Sequence, residues 1–460
     1  MYRAVIVVFL SLLANCFASA QKEGLASIKK ENLKSYMEFF ASDQLQGREM
    51  GTEANDIAAL FLKTNIMRMG LKPDVNEYYQ HMPVTLIKNS LNDSYVQAKD
   101  DKENVVFSTD SIMQLMPLAA TLEEKGGIVF AGFGYEDTTS GYSDLKDIDV
   151  KDKIVLLMTR NPELIRNYGS NGSFSFSSEE EKIGNLLKRG AKAFLYVFDP
   201  GLKEQDPFKT MFYQFSSQEQ VLPEESRMYM MPLIFGFIKP ETADALLASS
   251  GKTLKNYYDE ILLSGEPASF EIPGISVSVK AAVKERKIDA KNVIGKIEGS
   301  DPVLKNECVV YTAHFDHVGK DDEGRIFNGA DDDASGSMAL LELANAFMSL
   351  KKKPLRTILF VWANGEEKGL IGSGYYVKNP SIPLEKTLLD INLDMIGRTA
   401  TPADTGKFYG FNIDVTGKGE VMMYSMHDSR ELDDIITGAA AKTGMKIRDM
   451  GEDIEAGGSD

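Results

Sequence analysis

Four clusters of carboxylate and imidazole side chains lie in the last third of this chain, and they constrain its fold more than any other feature. They occupy residues 312–317 (Thr-Ala-His-Phe-Asp-His), 329–336 (Gly-Ala-Asp-Asp-Asp-Ala-Ser-Gly), 364–367 (Asn-Gly-Glu-Glu) and 392–395 (Asn-Leu-Asp-Met). Three clusters follow short apolar runs that predict buried strands, and the second cluster precedes a predicted helix. Because ligands collect at the carboxyl ends of strands in open α/β sheets, we predict that the four clusters meet at one sheet edge.

The apolar residues between the clusters follow the pattern of alternating strands and helices. Residues 307–311, 357–363 and 388–393 are short apolar runs, whereas residues 334–350 place leucines on one face of a helix. Strands that are apolar on both faces and alternate with helices are typical of a covered parallel sheet. We therefore predict an α/β fold with a mostly parallel sheet and helices on both of its faces.

The length of 460 residues is enough for two or three domains. Residues 115–285 differ in their sequence pattern from the rest of the chain and carry none of the four clusters. We predict that they form a smaller, β-rich inserted domain. Residues 21–114 and 286–460 would then be the two parts of the domain that carries the clusters.

The amino terminus has the pattern of a secretory signal peptide. Arg3 precedes an apolar stretch at 4–13 that is too short to span a bilayer, and residues 18–20 (Ala-Ser-Ala) fit a cleavage site. We predict a signal peptide at residues 1–20 and a secreted or periplasmic protein. The alternative is a lipoprotein with lipid on the Cys16 thiol, for which the preceding asparagine is a poor fit. No later stretch is long and apolar enough to predict a transmembrane segment.

The cluster residues are those that a pair of divalent metal ions requires. Carboxylate and imidazole ligands without thiolate suit Zn²⁺, with Mn²⁺ or Co²⁺ as substitutes. His314 is suited to be a terminal ligand, Asp332 could bridge two ions, and Asp394 would complete the first shell. Asp316 is spaced to accept the other ring N–H of His314 and so to fix its tautomer.

Other polar residues leave alternatives open. Glu366 and Glu367 are adjacent, so one can bind metal while the other acts as a general base on the attacking water. Taken alone, however, adjacent glutamates usually lie on a solvated face. His317 lines the site or caps the loop, and we favour the loop cap. Arg48, in a glycine-punctuated turn at residues 45–52, is either an ordinary loop charge or reaches the carboxylate-rich site.

Together with their flanking residues, the four clusters resemble the co-catalytic zinc aminopeptidase family, which also contains glutamate carboxypeptidase and the glutaminyl cyclases. The 45–52 turn resembles the Gly-Arg-x-x-Gly-Thr signature of that family, and residues 115–285 resemble its inserted protease-associated domain. The resemblance implies the zinc exopeptidase fold and two zinc ions. It implies these roles: His314 and Asp394 on one zinc, Asp332 as the bridge, Glu367 on the second zinc, Glu366 as the general base and Asp316 as the residue that orients His314.

The last metal ligand of the family is a histidine that follows a Ser-Asp pair. Here Ser459 and Asp460 are the last two residues, so the resemblance implies an incomplete second zinc site in residues 1–460. We accordingly expect this sequence to be a fragment that is truncated before that ligand.

The resemblance implies a secreted zinc metallopeptidase, above all an aminopeptidase that acts on peptide substrates. A glutaminyl cyclase or a carboxypeptidase of the same fold is the first alternative, and a non-catalytic peptidase-like binding protein is the second. The formal net charge of −17 argues against nucleic acid as a partner.

Overall fold

The computed structural model describes residues 24–110, 112–114, 120–169, 176–202, 219–222, 233–321, 323–399, 417, 419–424, 430–449 and 459. The predicted signal peptide, including Cys16, lies outside these residues, and so does Asp460. The chain divides into two compact units, of which the first combines Met1–Pro83 with Asp289–Asp460 and the second is Val84–Ile288.

The helices of the described residues are α1 (Lys30–Phe40), α2 (Glu53–Met69), α3 (Pro162–Tyr168), α4 (Phe176–Lys188), α5 (Pro240–Leu247), α6 (Leu254–Ser264), α7 (Ala334–Met348), α8 (Ile371–Lys378) and α9 (Arg430–Thr443). None of these described helices has the length and hydropathy needed to cross a membrane.

The strands are β1 (Lys72–Pro73), β2 (Tyr79–Asn89), β3 (Tyr95–Asp100), β4 (Val105–Thr109), β5 (Ile112–Gln114), β6 (Leu122–Phe130), β7 (Glu136–Asp137), β8 (Tyr142–Ser143), β9 (Ile154–Met158), β10 (Ala193–Val197), β11 (Gln220–Leu222), β12 (Ile234–Ile238), β13 (Phe270–Ala281), β14 (Val283–Ile297), β15 (Cys308–His314), β16 (Thr357–Ala363), β17 (Thr387–Asn392), β18 (Glu420–Met423) and β19 (Lys446–Asp449).

The sheet of the first unit places the ends of three parallel strands at one level. Its strands run in the order β14-β16-β15-β17, with β15 parallel to both β16 and β17 and with β14 antiparallel to β16. His314 at the end of β15 lies opposite Ala363, and Thr312 lies opposite Asn392. The four clusters therefore lie near one carboxyl edge, as the apolar runs predict.

Both faces of β16 are covered, which explains why its sequence is apolar throughout. Phe360 and Trp362 point to one face and pack with α1, α2 and α7, whereas Leu359 and Val361 point to the other and pack with Tyr376 of α8. The Trp362 indole Nε1 donates to the Ser337 carbonyl of α7 at 3.0 Å. The predicted α/β fold with helices on both faces of the sheet is confirmed. The sheet itself is mixed and not mostly parallel: β15 pairs in parallel with β16 and β17, whereas β14 pairs antiparallel with β16 and with β1. Strand β14 runs opposite to β15 because the short link between them, at 298–307, holds no α-helix of the kind that joins parallel strands.

In the second unit, the sheet has the order β4-β3-β13-β6-β9-β10-β12-β5, and β6, β9, β10 and β12 are parallel. The predicted insertion at residues 115–285 falls inside this unit. The unit begins earlier, at Val84, because β3 pairs with β13 and β5 pairs with β12.

A buried ion pair follows strands β9 and β10 at the carboxyl edge of this second sheet. Arg160 Nη2 lies 2.6 Å from Asp199 Oδ1, and both side chains have no exposed surface. Arg160→Met leaves the Asp199 charge unpaired in the interior, which costs about 3–5 kcal/mol. Denaturant unfolding would measure this loss, with Lys255→Met in an exposed pair with Asp259 as the control. Equal effects of the two substitutions would contradict the prediction.

Candidate metal centre

Each predicted ligand is positioned by the end of a strand or the start of a helix. His314 ends β15, and Asp394 follows β17 by two residues. Glu366 and Glu367 lie in a short turn directly after β16. Asp332 lies in the loop that leads into α7, which begins where the Asp333 carboxylate accepts the Gly336 N–H at 2.8 Å.

A first group of ligand atoms surrounds the His314 imidazole. Its Nε2 lies 3.1 Å from Asp332 Oδ1 and 3.6 Å from Asp394 Oδ1. Zinc bonds of about 2.0–2.1 Å in tetrahedral geometry place ligand atoms about 3.3 Å apart, so this spacing fits one ion. The other oxygen of Asp394 accepts a hydrogen bond from the Ser459 hydroxyl at 2.6 Å.

Buried polar atoms in this first group support its fit to a metal ion. Among the described residues, both ring nitrogens of His314 and Oδ1 of Asp394 are buried without a hydrogen-bond partner. Such atoms are rare in folded proteins because each carries an uncompensated desolvation cost. A bound cation would satisfy His314 Nε2 and Asp394 Oδ1 together.

A second group forms on the other side of Asp332. His317 Nδ1 lies 4.0 Å from Asp332 Oδ2 and 2.5 Å from Glu367 Oε1, and the three residues can together hold an ion. His317 therefore lines the site, and our preference for a loop cap was wrong. Its sequence signal was its position directly after the His-x-Asp segment. Asp332 offers one carboxylate oxygen to each group, as a bridging ligand does.

Asp316 lies beside the His314 ring and also contacts the turn that carries the two glutamates. Its Oδ1 lies 3.7 Å from His314 Nδ1, which is beyond hydrogen-bond length. The same oxygen accepts the backbone N–H of Glu366 at 3.2 Å. Asp316 thus joins the end of β15 to the turn that carries the two glutamates.

The site holds far more negative than positive charge. Six carboxylates contribute: Asp316, Asp332, Asp333, Glu366, Glu367 and Asp394. Burial opposes the charge on His314, yet contacts with Asp316, Asp332 and Asp394 outweigh it and raise the His314 pKa. Burial raises the pKa of Asp333 and lowers that of Arg48 to about 10, so Arg48 stays protonated at neutral pH. A divalent cation binds neutral imidazole, so metal binding at this group of carboxylates would displace any proton from His314.

Comparison with known proteins relates one segment of the chain to a peptidase family. Residues 292–454 match the model of peptidase family M28, and this segment contains all four clusters. About a third of the chain, residues 292–454, is thus similar to peptidase family M28.

Two curated relatives align with parts of this chain. An aminopeptidase of Pseudomonas aeruginosa is 34% identical over 129 residues, which are 28% of this chain and 22% of that protein. Leupeptin-inactivating enzyme 1 of Streptomyces exfoliatus is 37% identical over 107 residues, 23% of this chain and 22% of that enzyme. The chain thus spans about a fifth of the length of these relatives.

A solved structure resembles the whole chain more broadly. An aminopeptidase from Aneurinibacillus sp. strain AM-1 superposes with a TM-score of 0.51 at 19% identity, covering 94% of this chain and 82% of that one. At this identity the likeness concerns the fold, and it agrees with the zinc exopeptidase fold that the sequence resemblance implies.

Within the M28 segment, three side chains around Asp332 hold the backbone that follows Asp394. They accept three consecutive N–H groups in these pairs: Asp333 Oδ1 from Met395 at 3.3 Å, Ser335 Oγ from Ile396 at 3.0 Å and Asp331 Oδ1 from Gly397 at 2.9 Å. Of these neighbouring residues, only Asp332, the middle aspartate of the run 331–333, was predicted from the sequence to lie in the site. The sequence does show alternating polar side chains at 331, 333 and 335, but this pattern does not indicate that they bind the backbone of residues 395–397.

A buried amide network supports the glutamate turn of the M28 segment. The Asn364 and Asn55 side chains exchange two hydrogen bonds, at 2.9 and 3.0 Å. The Asn364 backbone N–H donates to Asn292 Oδ1 at 3.0 Å. Helix α2 and strand β14 therefore fix the residue two positions before Glu366.

Proposed function

We propose that this chain is a zinc-dependent exopeptidase and that it acts as an aminopeptidase on peptide substrates. The observation that carries the proposal is the position of Asp332 between two groups of ligand atoms, with one oxygen directed to each. His314 and Asp394 would hold one zinc ion with Asp332, and His317 and Glu367 would hold the second. Two zinc ions, when bound, lower the pKa of a shared water and polarise the scissile carbonyl.

Glu366 is suited to the proton transfers of this reaction. Its Oε2 lies 3.9 Å from His314 Nε2, and Glu366 is a member of neither ligand group. We assign it as the general base that takes a proton from the attacking water and delivers it to the leaving amine. Asp316 would orient His314, as the resemblance implies, and would hold the Glu366 backbone in place through the 3.2 Å hydrogen bond from its N–H.

Substrate class separates the alternatives. The name of the Pseudomonas aeruginosa relative supports aminopeptidase activity. A carboxypeptidase or glutaminyl cyclase would use the same metal centre, because the surrounding pocket selects the substrate. A non-catalytic binding protein is disfavoured, since the bridging Asp332, the ligands His314 and Asp394 and the general base Glu366 are present.

Two further parts of the proposal rest on the sequence. We propose that the protein is secreted or periplasmic, on the evidence of the signal-peptide pattern at residues 1–20, with lipid attachment at Cys16 as the alternative. We also propose that residues 115–285 are a protease-associated domain.

Metal content and a substrate panel test the proposal together. We expect two zinc ions per chain by elemental analysis and hydrolysis of leucyl p-nitroanilide that chelation abolishes and added Zn²⁺ restores. Glutaminyl peptides and peptides with a C-terminal glutamate test the two alternative enzymes. A protein that binds zinc but acts on no peptide would favour the binding protein, and a protein that binds no zinc would contradict the proposal.

A further inference from the structure

Arg48 is a fully buried guanidinium whose described hydrogen bonds go to main-chain carbonyls. Its Nε donates to Phe315 at 2.9 Å, and its Nη2 donates to Gly329 at 2.9 Å. Its Nη1 donates to Phe40 and to Asn328, both at 2.7 Å. Although Arg48 lies in the field of four carboxylates, those of Asp316, Asp332, Asp333 and Glu367, its described hydrogen bonds go to the backbone.

Three of the four carbonyls that Arg48 binds, those of Phe315, Asn328 and Gly329, belong to the loops that carry the metal ligands, and the fourth belongs to Phe40 at the end of α1. Phe315 lies between His314 and Asp316, and the Phe315 side chain is itself buried. Gly329 lies three residues before Asp332, and its carbonyl also accepts the first N–H of α7 at 3.2 Å. The planar fork of arginine donates in fixed directions, so one side chain sets the separation of the two loops.

The turn that presents Arg48 is closely packed between those loops. Gly47 has φ +73°, and a Cβ there would lie 2.3 Å from the Gly319 carbonyl and 2.4 Å from the Phe327 carbonyl. The Gly319 N–H donates to the Gly47 carbonyl at 3.2 Å. Only glycine fits at this position, which places the guanidinium where it reaches both loops.

Arg48 could influence a bound metal by charge or by geometry, and the two effects have opposite signs. As a fixed positive charge, it repels a cation, so its removal would tighten metal binding. As a connector of the ligand loops, it pre-organises them, so its loss would weaken metal binding. The three hydrogen bonds from Arg48 to the carbonyls of the two ligand loops favour the second effect.

We propose that Arg48 is a positioning residue of the metal centre, which holds the His314 loop and the Asp332 loop at the separation that metal binding requires. The inference rests on the proposed metal function. It predicts that the guanidinium shape matters as well as the charge, so lysine would not replace arginine at this position.

The test compares metal affinity among four full-length proteins stripped of metal. The wild type, Arg48→Lys, Arg48→Met and Arg160→Met are titrated with Co²⁺, and both the dissociation constant and the visible Co²⁺ absorption spectrum are recorded. We expect both Arg48 variants to bind Co²⁺ at least about 10-fold more weakly, the scale at which supporting contacts act on metal sites, and to show altered spectra. Arg160→Met removes an equally buried arginine from the second unit and is expected to keep the wild-type affinity and spectrum.

Each outcome decides the inference. Tighter binding by Arg48→Met with unchanged binding by Arg48→Lys would show that Arg48 acts by charge and would overturn the proposal. Unchanged binding by both variants, or an equal loss in Arg160→Met, would also overturn it. If Arg48→Met does not fold, Arg48→Lys decides alone, since it keeps the charge. A wild type that binds no Co²⁺ would overturn the metal function itself, which is a different result.

Discussion

The Glu366→Gln protein is expected to keep its metal ions and to lose about 10²- to 10⁴-fold in kcat, the usual contribution of a general base. Glutamine has nearly the same shape as glutamate but cannot accept the proton of the attacking water. The side chain is in neither ligand group, so metal content should not change. Steady-state hydrolysis of leucyl p-nitroanilide and elemental analysis of the same sample measure both quantities.

The matched control is Glu385→Gln, the same chemical change at an exposed position in the turn before β17. It is expected to leave kcat and metal content at wild-type values. Full activity of Glu366→Gln with its metal retained would refute the assignment of the general base. Loss of metal from Glu366→Gln would instead make this residue a ligand.

Asp332→Ala is expected to remove both metal ions and, with them, all measurable hydrolysis. Among the described residues, Asp332 alone is a member of both ligand groups, with Oδ1 near His314 and Oδ2 near His317. His317→Ala removes a ligand from the second group only, so it is expected to reduce the metal content from two ions to one. Elemental analysis after dialysis against a fixed zinc concentration distinguishes the two variants.

An exposed aspartate in the second unit provides the control for this pair. Asp259 forms a surface ion pair with Lys255, and Asp259→Ala is expected to retain both metal ions. Two metal ions in Asp332→Ala would contradict the bridging role. Two ions in His317→Ala would show that the imidazole is a hydrogen-bond partner of Glu367 and not a ligand.

The local pattern of apolar residues was enough to predict the sheet and the edge at which the metal ligands lie. The run at 357–363 is apolar at every position because both faces of β16 are buried, and that pattern is visible without a structure. The ends of β15, β16 and β17 then follow from the rule that parallel strands present their carboxyl ends together. The structure brings His314, Asp332 and Asp394 together there.

The local sequence pattern did not predict where the second unit begins or which contacts support the metal ligands. The second unit begins at Val84 because β3 pairs with β13, whose residues are far away in sequence. Such pairing depends on which strands meet in space, and no composition change at Val84 marks it. Similarly, the sequence places His317 beside a ligand segment but does not give the direction of its ring.

The sequence by itself determined the class of fold, the chemical type of the ligands and the edge of the sheet where they gather, because strand periodicity and side-chain chemistry are local properties. Only the tertiary structure decided that His317 faces Glu367, that Asp333 holds the Asp394 segment and that Arg48 binds carbonyls of two ligand loops. The physical reason is that these contacts use backbone groups, which every residue carries, so the side-chain sequence does not record which of them will meet.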